Sequence, residues 1–346
     1  MPKNRAADIV IAMAERCYDL DTADADWFQG VLAAGLPLLD HGLGVAGFVF
    51  VKPPAPGPID IVDVCVPSGP EDFPIRHAKA FSALPPELLH RETQHAGVAT
   101  LSERSDILAV WTRQVDYAKD ALGITALDPD GHGLQIMVPL PRVTKLTQYE
   151  RELWQMLAAH LTASHRLRRA LRKEQAESRS TGRQRLPRGA EAVIEPKSFE
   201  VVEAVGDASK TAYTKVLREK AIAIDQARVQ LRAENPVRAL KIWSALVRGR
   251  WSIVDHFDSD DRRYVLAIPN PPHITDPRGL SDREEQVIAY ARLGMSHAHI
   301  GYHLGISRST VTKALASAMR KLGVSTQAAL VAKLHGVPTP GLKEPA

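Results

Sequence analysis

The chain has 346 residues, more than one ordinary domain holds, with 45% hydrophobic and 24% charged residues, the balance of an ordinary soluble chain. A net charge of +4 permits nucleic-acid binding without requiring it. Two cysteines, Cys17 and Cys65, are too few for a disulfide scaffold or a structural zinc module. The opening MPKNRAADIVIAMAERC is broken by charge and reads as neither a signal peptide nor a membrane span. No later segment reaches about 18 uninterrupted apolar residues, so the expected setting is the cytoplasm, with no membrane partner.

Residues 1–172 read as a first domain. Helical patterns cover Ala6–Leu20 and Trp27–Leu39. GVAGFVFVK and IDIVDVCVPSG, separated by PPAPGP, predict a hairpin, with Cys65 as a buried thiol in its second strand. A helical middle follows, then the turn DPDGHG and the strand LQIMVPLP. A long helix is predicted from Thr144 to Glu177. Its stripe of Leu146, Tyr149, Leu153, Met156, Leu157, Leu161, Ser164, Leu167 and Leu171 recurs at spacings of three and four. Beyond His165 the other faces are densely basic, so the helix is expected to cover its own sheet at one end and pair with a partner helix at the other. Asp21, Asp24 and Asp26 read as helix caps rather than catalytic carboxylates. This order of elements resembles a GAF-type sensor domain, and YERELWQMLAAHLTASHRLRRAL is similar to the exit helix of bacterial GAF modules.

Residues 173–189 read as a basic linker, either a solvated tether or a second contact to DNA phosphate. Residues 190–272 predict a small α+β domain. EAVIEPKSFEVVEAVG forms a hairpin, a helix covers Ser209–Ala233, Asn235-Pro236 breaks it, and a short helix carries Ala239–Val247. WSIVDHFD and RYVLAIPN then form a second hairpin. The domain resembles a PAS-like module, and PNPPHITDP punctuates its end.

Residues 273–346 carry the sharpest signals. Ser281 and Glu284 make a capping box before a helix with Val287, Ile288, Ala291 and Leu293 on its apolar face, stopped by Gly294. Ser296 caps HAHIGYHL, which Gly305 ends. Ser307 caps RSTVTKALASAMRKL, which Gly323 ends, and Ser325 opens a last helix. The tight glycine turn between the second and third helices is a helix-turn-helix arrangement. Residues 280–334 resemble the LuxR-type (NarL/FixJ-like) helix-turn-helix. The matching positions include Leu280, Arg283, Glu284, Ile300, Leu304, Ile306, Ser307, Thr310, Val311 and the run Lys321-Leu322-Gly323-Val324. The resemblance implies that the third helix enters the major groove and that the fourth packs beside it and forms a dimer contact. The candidate DNA-contact residues are Ser307, Arg308, Ser309, Thr310, Thr312, Lys313, Ser317, Arg320 and Lys321. The chain departs from the family pattern at His297, Ala298 and His299, where Asn-Lys-Glu is usual, and at Thr312 and Ala314, which replace a lysine and a histidine.

His297, His299 and His303 raise the question of a metal site. On a helix the first two point about 200° apart and cannot share an ion. His299 and His303 could, but no Glu stands between them as in HExxH. The favoured role is polar surface near DNA with some pH sensitivity. From Asp276 to Leu334 eight bases face four acids, an excess equal to the whole chain's net charge, which seats phosphate attraction here. GxxxxGK[ST], GxGxxG and GxSxG are absent, and no receiver-type acidic pocket is visible.

The fold class expected is multidomain α+β: a GAF-like α/β sensor, a small PAS-like α+β domain and a C-terminal all-α four-helix LuxR-type helix-turn-helix. The function expected is a DNA-binding transcriptional regulator, acting on double-stranded DNA as a homodimer and modulated by a small-molecule or protein signal. RNA polymerase is a further expected contact, and neither a metal nor a cofactor is called for. The alternatives are front domains that serve only as a docking and dimerisation platform, and an enzyme targeted to DNA.

Overall fold

The computed structural model describes residues 2–52, 59–85, 88, 96–178, 186–258, 260–270 and 280–335. The PPAPGP connection, Arg179, Arg183 and Arg185 of the linker, and residues 271–279 lie outside the described residues.

Helix α1 (Lys3–Cys17) buries Ala7, Val10, Ile11 and Ala14, the three-and-four spacing of an amphipathic helix. Helix α2 (Asp24–Leu39) packs against it. Both lie on one face of a five-stranded antiparallel sheet. Its strands are β1 (Val45–Val51), β2 (Asp60–Ser68), β3 (Gly97–Thr100), β4 (Asp120–Leu127) and β5 (His132–Leu140), in the order β2-β1-β5-β4-β3. Side chains alternate along β1: Val45 joins the α1/α2 core, while Ala46 and Phe48 face the opposite layer. That layer is α3 (Phe73–Ser82) and α4 (Ser105–Trp111), which enclose Phe48, Phe73, Trp111 and Met137.

The expected helical middle is corrected by β3 and β4. β4, DALGITAL, is buried along most of its length, so no polar alternation betrays a strand. The aspartates do not cap either. The residue before α2 is Ala23, whose side chain makes no cap, and Asp24 instead accepts from Arg168 at 2.8 Å and pairs with Arg172 at 3.1 Å. Cys17 is buried and Cys65 half-buried, and burial pushes both thiols up to about 12, which keeps them inert near neutral pH.

Helix α5 (Gln148–Ser178) is the axis of the molecule. Every residue from Met156 to Arg168 is buried, and a helix buried all round must have neighbours all round. α1 and strands β3 and β4 cover one side, and the C-terminal helices and the small domain cover the rest. Leu157, Leu161 and Leu167 are fully buried in the internal core and Leu153 is 2% exposed. This overturns the expected pairing of α5 with a partner helix, because the stripe is consumed within the chain. Part of the basic end is committed as well. Arg166 forks onto Asp128 at 2.7 and 2.6 Å, and Arg169 reaches Asp128 and Asp130 at 3.0 and 2.8 Å.

The small domain is a four-stranded antiparallel sheet, β7-β6-β9-β8, built from β6 (Ala192–Ile194), β7 (Val201–Ala204), β8 (Trp251–Phe257) and β9 (Arg263–Pro269). Helix α6 (Thr211–Arg228) breaks at Val229, short of the expected end, and α7 (Gln230–Glu234) follows. Helix α8 (Pro236–Ile242) starts earlier than expected, because Asn235 caps it by accepting from the Arg238 N–H at 3.0 Å. Leu217, Trp243 and Trp251 belong to the same core as α1 and α5, so the two front domains are fused rather than tethered. Among the described residues no helix is long and apolar enough to cross a membrane.

Candidate nucleic-acid interface

Four short helices end the described chain: α9 (Asp282–Arg292), α10 (His297–Leu304), α11 (Arg308–Lys321) and α12 (Gln327–His335). Local signals set their ends. Ser281 accepts from the Glu284 N–H while the Glu284 carboxylate accepts from the Ser281 N–H at 2.7 Å, completing the capping box. Ser296 and Ser307 accept from the N–H groups of His299 and Thr310, and Gly305 ends α10 in the left-handed region at φ 65°. Thr326 rather than Ser325 caps α12, accepting from the Ala329 N–H at 3.1 Å.

Helix α11 has two faces. Val311, Ala314, Leu315 and Ala318 turn inward onto the three-helix core. Arg308, Ser309, Thr312, Lys313, Ala316 and Arg320 are exposed, and their spacing places them along one side. Neither Arg308 nor Lys313 has an ion-pair partner among the described residues. Thr312 receives a neighbour from α10: its hydroxyl lies 3.3 Å from His297 Nδ1.

The remaining sequence-predicted contacts also make bonds within the unit. The Ser307 hydroxyl is engaged by the Thr310 N–H and hydroxyl, so both residues build the helix start. Lys321 Nζ donates to Glu284 at 2.7 Å, and Ser317 hydrogen-bonds the same carboxylate. Burial alone would raise the Glu284 pKa, but Lys321, Ser317 and Ser281 outweigh it and hold the group at about 2. Ser317 and Lys321 therefore join α11 to the capping box. The charge excess is thinned in the same way. Arg283 donates to the Arg248 carbonyl at 2.5 Å, Arg292 is half-buried, and Arg278 lies outside the described residues.

Opposite the open face, the four-helix unit is clamped to the rest of the chain. α10 packs on α5. A relay crosses this contact: the Tyr18 hydroxyl meets His160 Nδ1 at 3.1 Å, His160 Nε2 meets the Tyr302 hydroxyl at 2.8 Å, and Tyr302 donates to the Trp243 carbonyl at 2.7 Å. The order fits a neutral His160 protonated on Nε2, and burial takes its pKa down to about 3. Beside it, Arg166 donates to the Tyr290 hydroxyl of α9, and the His303 ring packs on Tyr290 at 4.3 Å. On the small-domain side, Gln286 donates to the Gly249 carbonyl at 2.7 Å and Arg250 pairs with Asp282 at 2.6 Å.

His299 and His303 are thus not polar surface near DNA. They are 5% and 0% exposed and face the contact with α5, where His299 meets the Gln155 carbonyl. Burial lowers the pKa of His299 to about 4 and that of His303 well below its usual value. A signal was available: with Ile300 and Leu304 they fill positions i, i+1, i+4 and i+5, which widens the apolar stripe toward a second packed face. Among the described residues no three His, Cys, Asp or Glu side chains gather as a metal site would require.

Residues 278–334 match the family model described as bacterial regulatory proteins, luxR family. No curated protein matches the chain. The matched segment covers all of α9, α10 and α11 and most of α12.

Proposed function

The luxR-family DNA-binding domain at residues 278–334 supports a DNA-binding transcriptional regulator, and we propose that it reads the major groove with the N-terminal half of α11. Arg308, Ser309, Thr312 and Lys313 would meet base edges, and Arg320 would meet phosphate. The capped start at Ser307 would turn its free N–H groups toward the backbone of the duplex. One observation carries this reading: the outer side of α11 is open while the opposite side of the same unit is clamped to α5 and the small domain. The front domains hold the reader by its back and leave the reading face available.

Two copies acting on an inverted repeat are part of the proposal, because one short helix contacts only a few base pairs. Their contact must use surfaces other than the buried α5 stripe. The five-stranded sheet with helices on both faces supports the GAF-like reading of residues 1–172. The four-stranded sheet with α6–α8 is compatible with the PAS-like one. A cavity in the first domain favours a sensing role over a platform that only docks proteins. The setting proposed is the cytoplasm, where DNA is reached.

The test is duplex selection by the full chain from a random library, followed by affinity for the enriched and random sequences at several salt concentrations. The proposal requires an enriched sequence bound at least about a thousandfold tighter than random duplex. Equal affinity for both would reject it.

A further inference from the structure

A cavity of about 510 Å³ opens between α2, the strands β1 and β2 at one edge of the sheet, and the C-terminal half of α5. That volume suits a small molecule. It lies on the α2/α5 face of the sheet, away from the layer formed by α3 and α4. One wall is apolar: Trp27, Phe28, Val49, Val51 and Val62. The other carries the guanidiniums of Arg168, Arg169 and Arg172, with His132 and His165 beside them.

The polar wall pairs most of its donors within the chain, Arg168 also reaching the Asp19 and Thr22 carbonyls. Arg168 lies over the Trp27 ring at 5.0 Å and donates to Asp24. Arg172 shares Asp24 and is 55% exposed at the mouth. Arg169 uses one terminal nitrogen on Asp128 and Asp130, while its Nε is buried with no hydrogen-bond partner. That Nε has no accessible surface, so a ligand head would meet Arg169 at its terminal nitrogens, on a side chain that is 20% exposed. His165, stacked on Trp27, is held neutral by burial and adds no charge. The acids Asp24 and Asp63 also line the cavity. With Asp128 and Asp130 behind them they balance Arg166, Arg168, Arg169 and Arg172, so the cavity carries little net charge and a singly charged head unbalances it less than a multiply charged one.

We propose that this cavity binds an amphipathic monocarboxylate, its head on Arg169 and Arg172 and its apolar body against Trp27, Val49, Val51 and Val62. The site lies two side chains from the reader. Asp128, 2% exposed, accepts from Arg169 and from Arg166, and Arg166 donates to Tyr290 of α9. A carboxylate that draws Arg169 away from Asp128 changes the charge balance holding Arg166 against the reader. Ligand binding and docking of the four-helix unit are thereby linked. The linkage rests on the reading of residues 278–334 as the DNA reader, whereas occupancy of the cavity does not.

The experiment titrates the full chain with hexanoate, octanoate and phenylpropanoate, each beside its primary amide and beside inorganic phosphate, by calorimetry. Saturable binding of at least one acid is expected, with its amide weaker by roughly ten- to a hundredfold, the worth of a charge-assisted hydrogen bond. Arg172→Gln should weaken the acid about tenfold. Val62→Trp, at an exposed position on the mouth that tolerates bulk, should abolish binding while the chain stays folded. The bound acid should change hydrogen exchange of the α9 amides around Tyr290. No saturable acid, an amide or phosphate that binds as well as the acids, or a Val62→Trp chain that binds like the parent would each overturn the proposal. DNA affinity of the same preparation is measured alongside. Its loss would count against the reader, and failure of the acids to bind would count against the cavity alone.

Discussion

Gly305 and Gly323 offer a controlled measurement of the clamp. Both adopt left-handed backbone, at φ 65° and 64°, where an L side chain costs roughly 1–2 kcal/mol. A Cβ on Gly323 would meet nothing within 4 Å, whereas one on Gly305 would lie 1.9 Å from the Leu246 carbonyl oxygen of the small domain. That oxygen is backbone and cannot rotate away, so the Gly305 change adds an overpacking cost of about 1–3 kcal/mol. Gly323→Ala should therefore lose about 1–2 kcal/mol in urea unfolding and Gly305→Ala about 2–5 kcal/mol. The excess should show as faster hydrogen exchange in α10 and in residues 240–247. Equal losses for the two variants would refute the claim that the reader is seated on the small domain.

Tyr302→Phe keeps the ring but orphans the His160 N–H and the Trp243 carbonyl. It should speed exchange of the α10 amides roughly 30- to 1,000-fold, the equivalent of about 2–4 kcal/mol; a change below about threefold would sink the relay. Stability should also fall on mild acidification. Burial takes the folded-state pKa values of His160 and His165 to about 3 and of His299 to about 4, so their contribution is complete above the unfolded value of about 6.5 and is lost as pH falls through that window. Each should cost about 2 kcal/mol by pH 5, measured by urea midpoints at pH 8 and pH 5; a flat profile would contradict their burial as neutral rings. Lys321→Met, which removes the partner of Glu284, should lower stability by about 1 kcal/mol and leave the salt slope of DNA binding unchanged.

The reader was legible from sequence because its signals are local. Ser281 with Glu284, Ser296, Ser307 and Gly305 each set a helix end within a few residues, and each does so in the structure. What could not be read was the destination of faces. The leucine stripe of α5 looks the same whether it meets a partner chain or its own sheet, and only tertiary packing shows that no face is spare. The arginines from Arg166 to Arg172 read only as densely basic faces of that helix, because their partners Asp24, Asp128 and Asp130 lie far away in sequence. β4 escaped because a strand buried on both faces carries no period-two pattern. Of the nine candidate contacts, Ser317 and Lys321 have a bond to Glu284 that the sequence did not reveal for the same reason: this partner sits on another helix.

The most direct test of the central claim is the DNA affinity of the Arg308→Ala, Lys313→Ala double variant, on the selected duplex and on random duplex, across salt concentrations. Both side chains are exposed on the open side of α11, so folding should be unaffected. The account predicts a loss of about 1–3 kcal/mol on the selected duplex for each residue that meets a base edge, and a salt slope lower by about one for each that meets phosphate. A folded double variant that binds both duplexes like the parent, with an unchanged salt slope, would contradict the assignment of α11 as the reading helix.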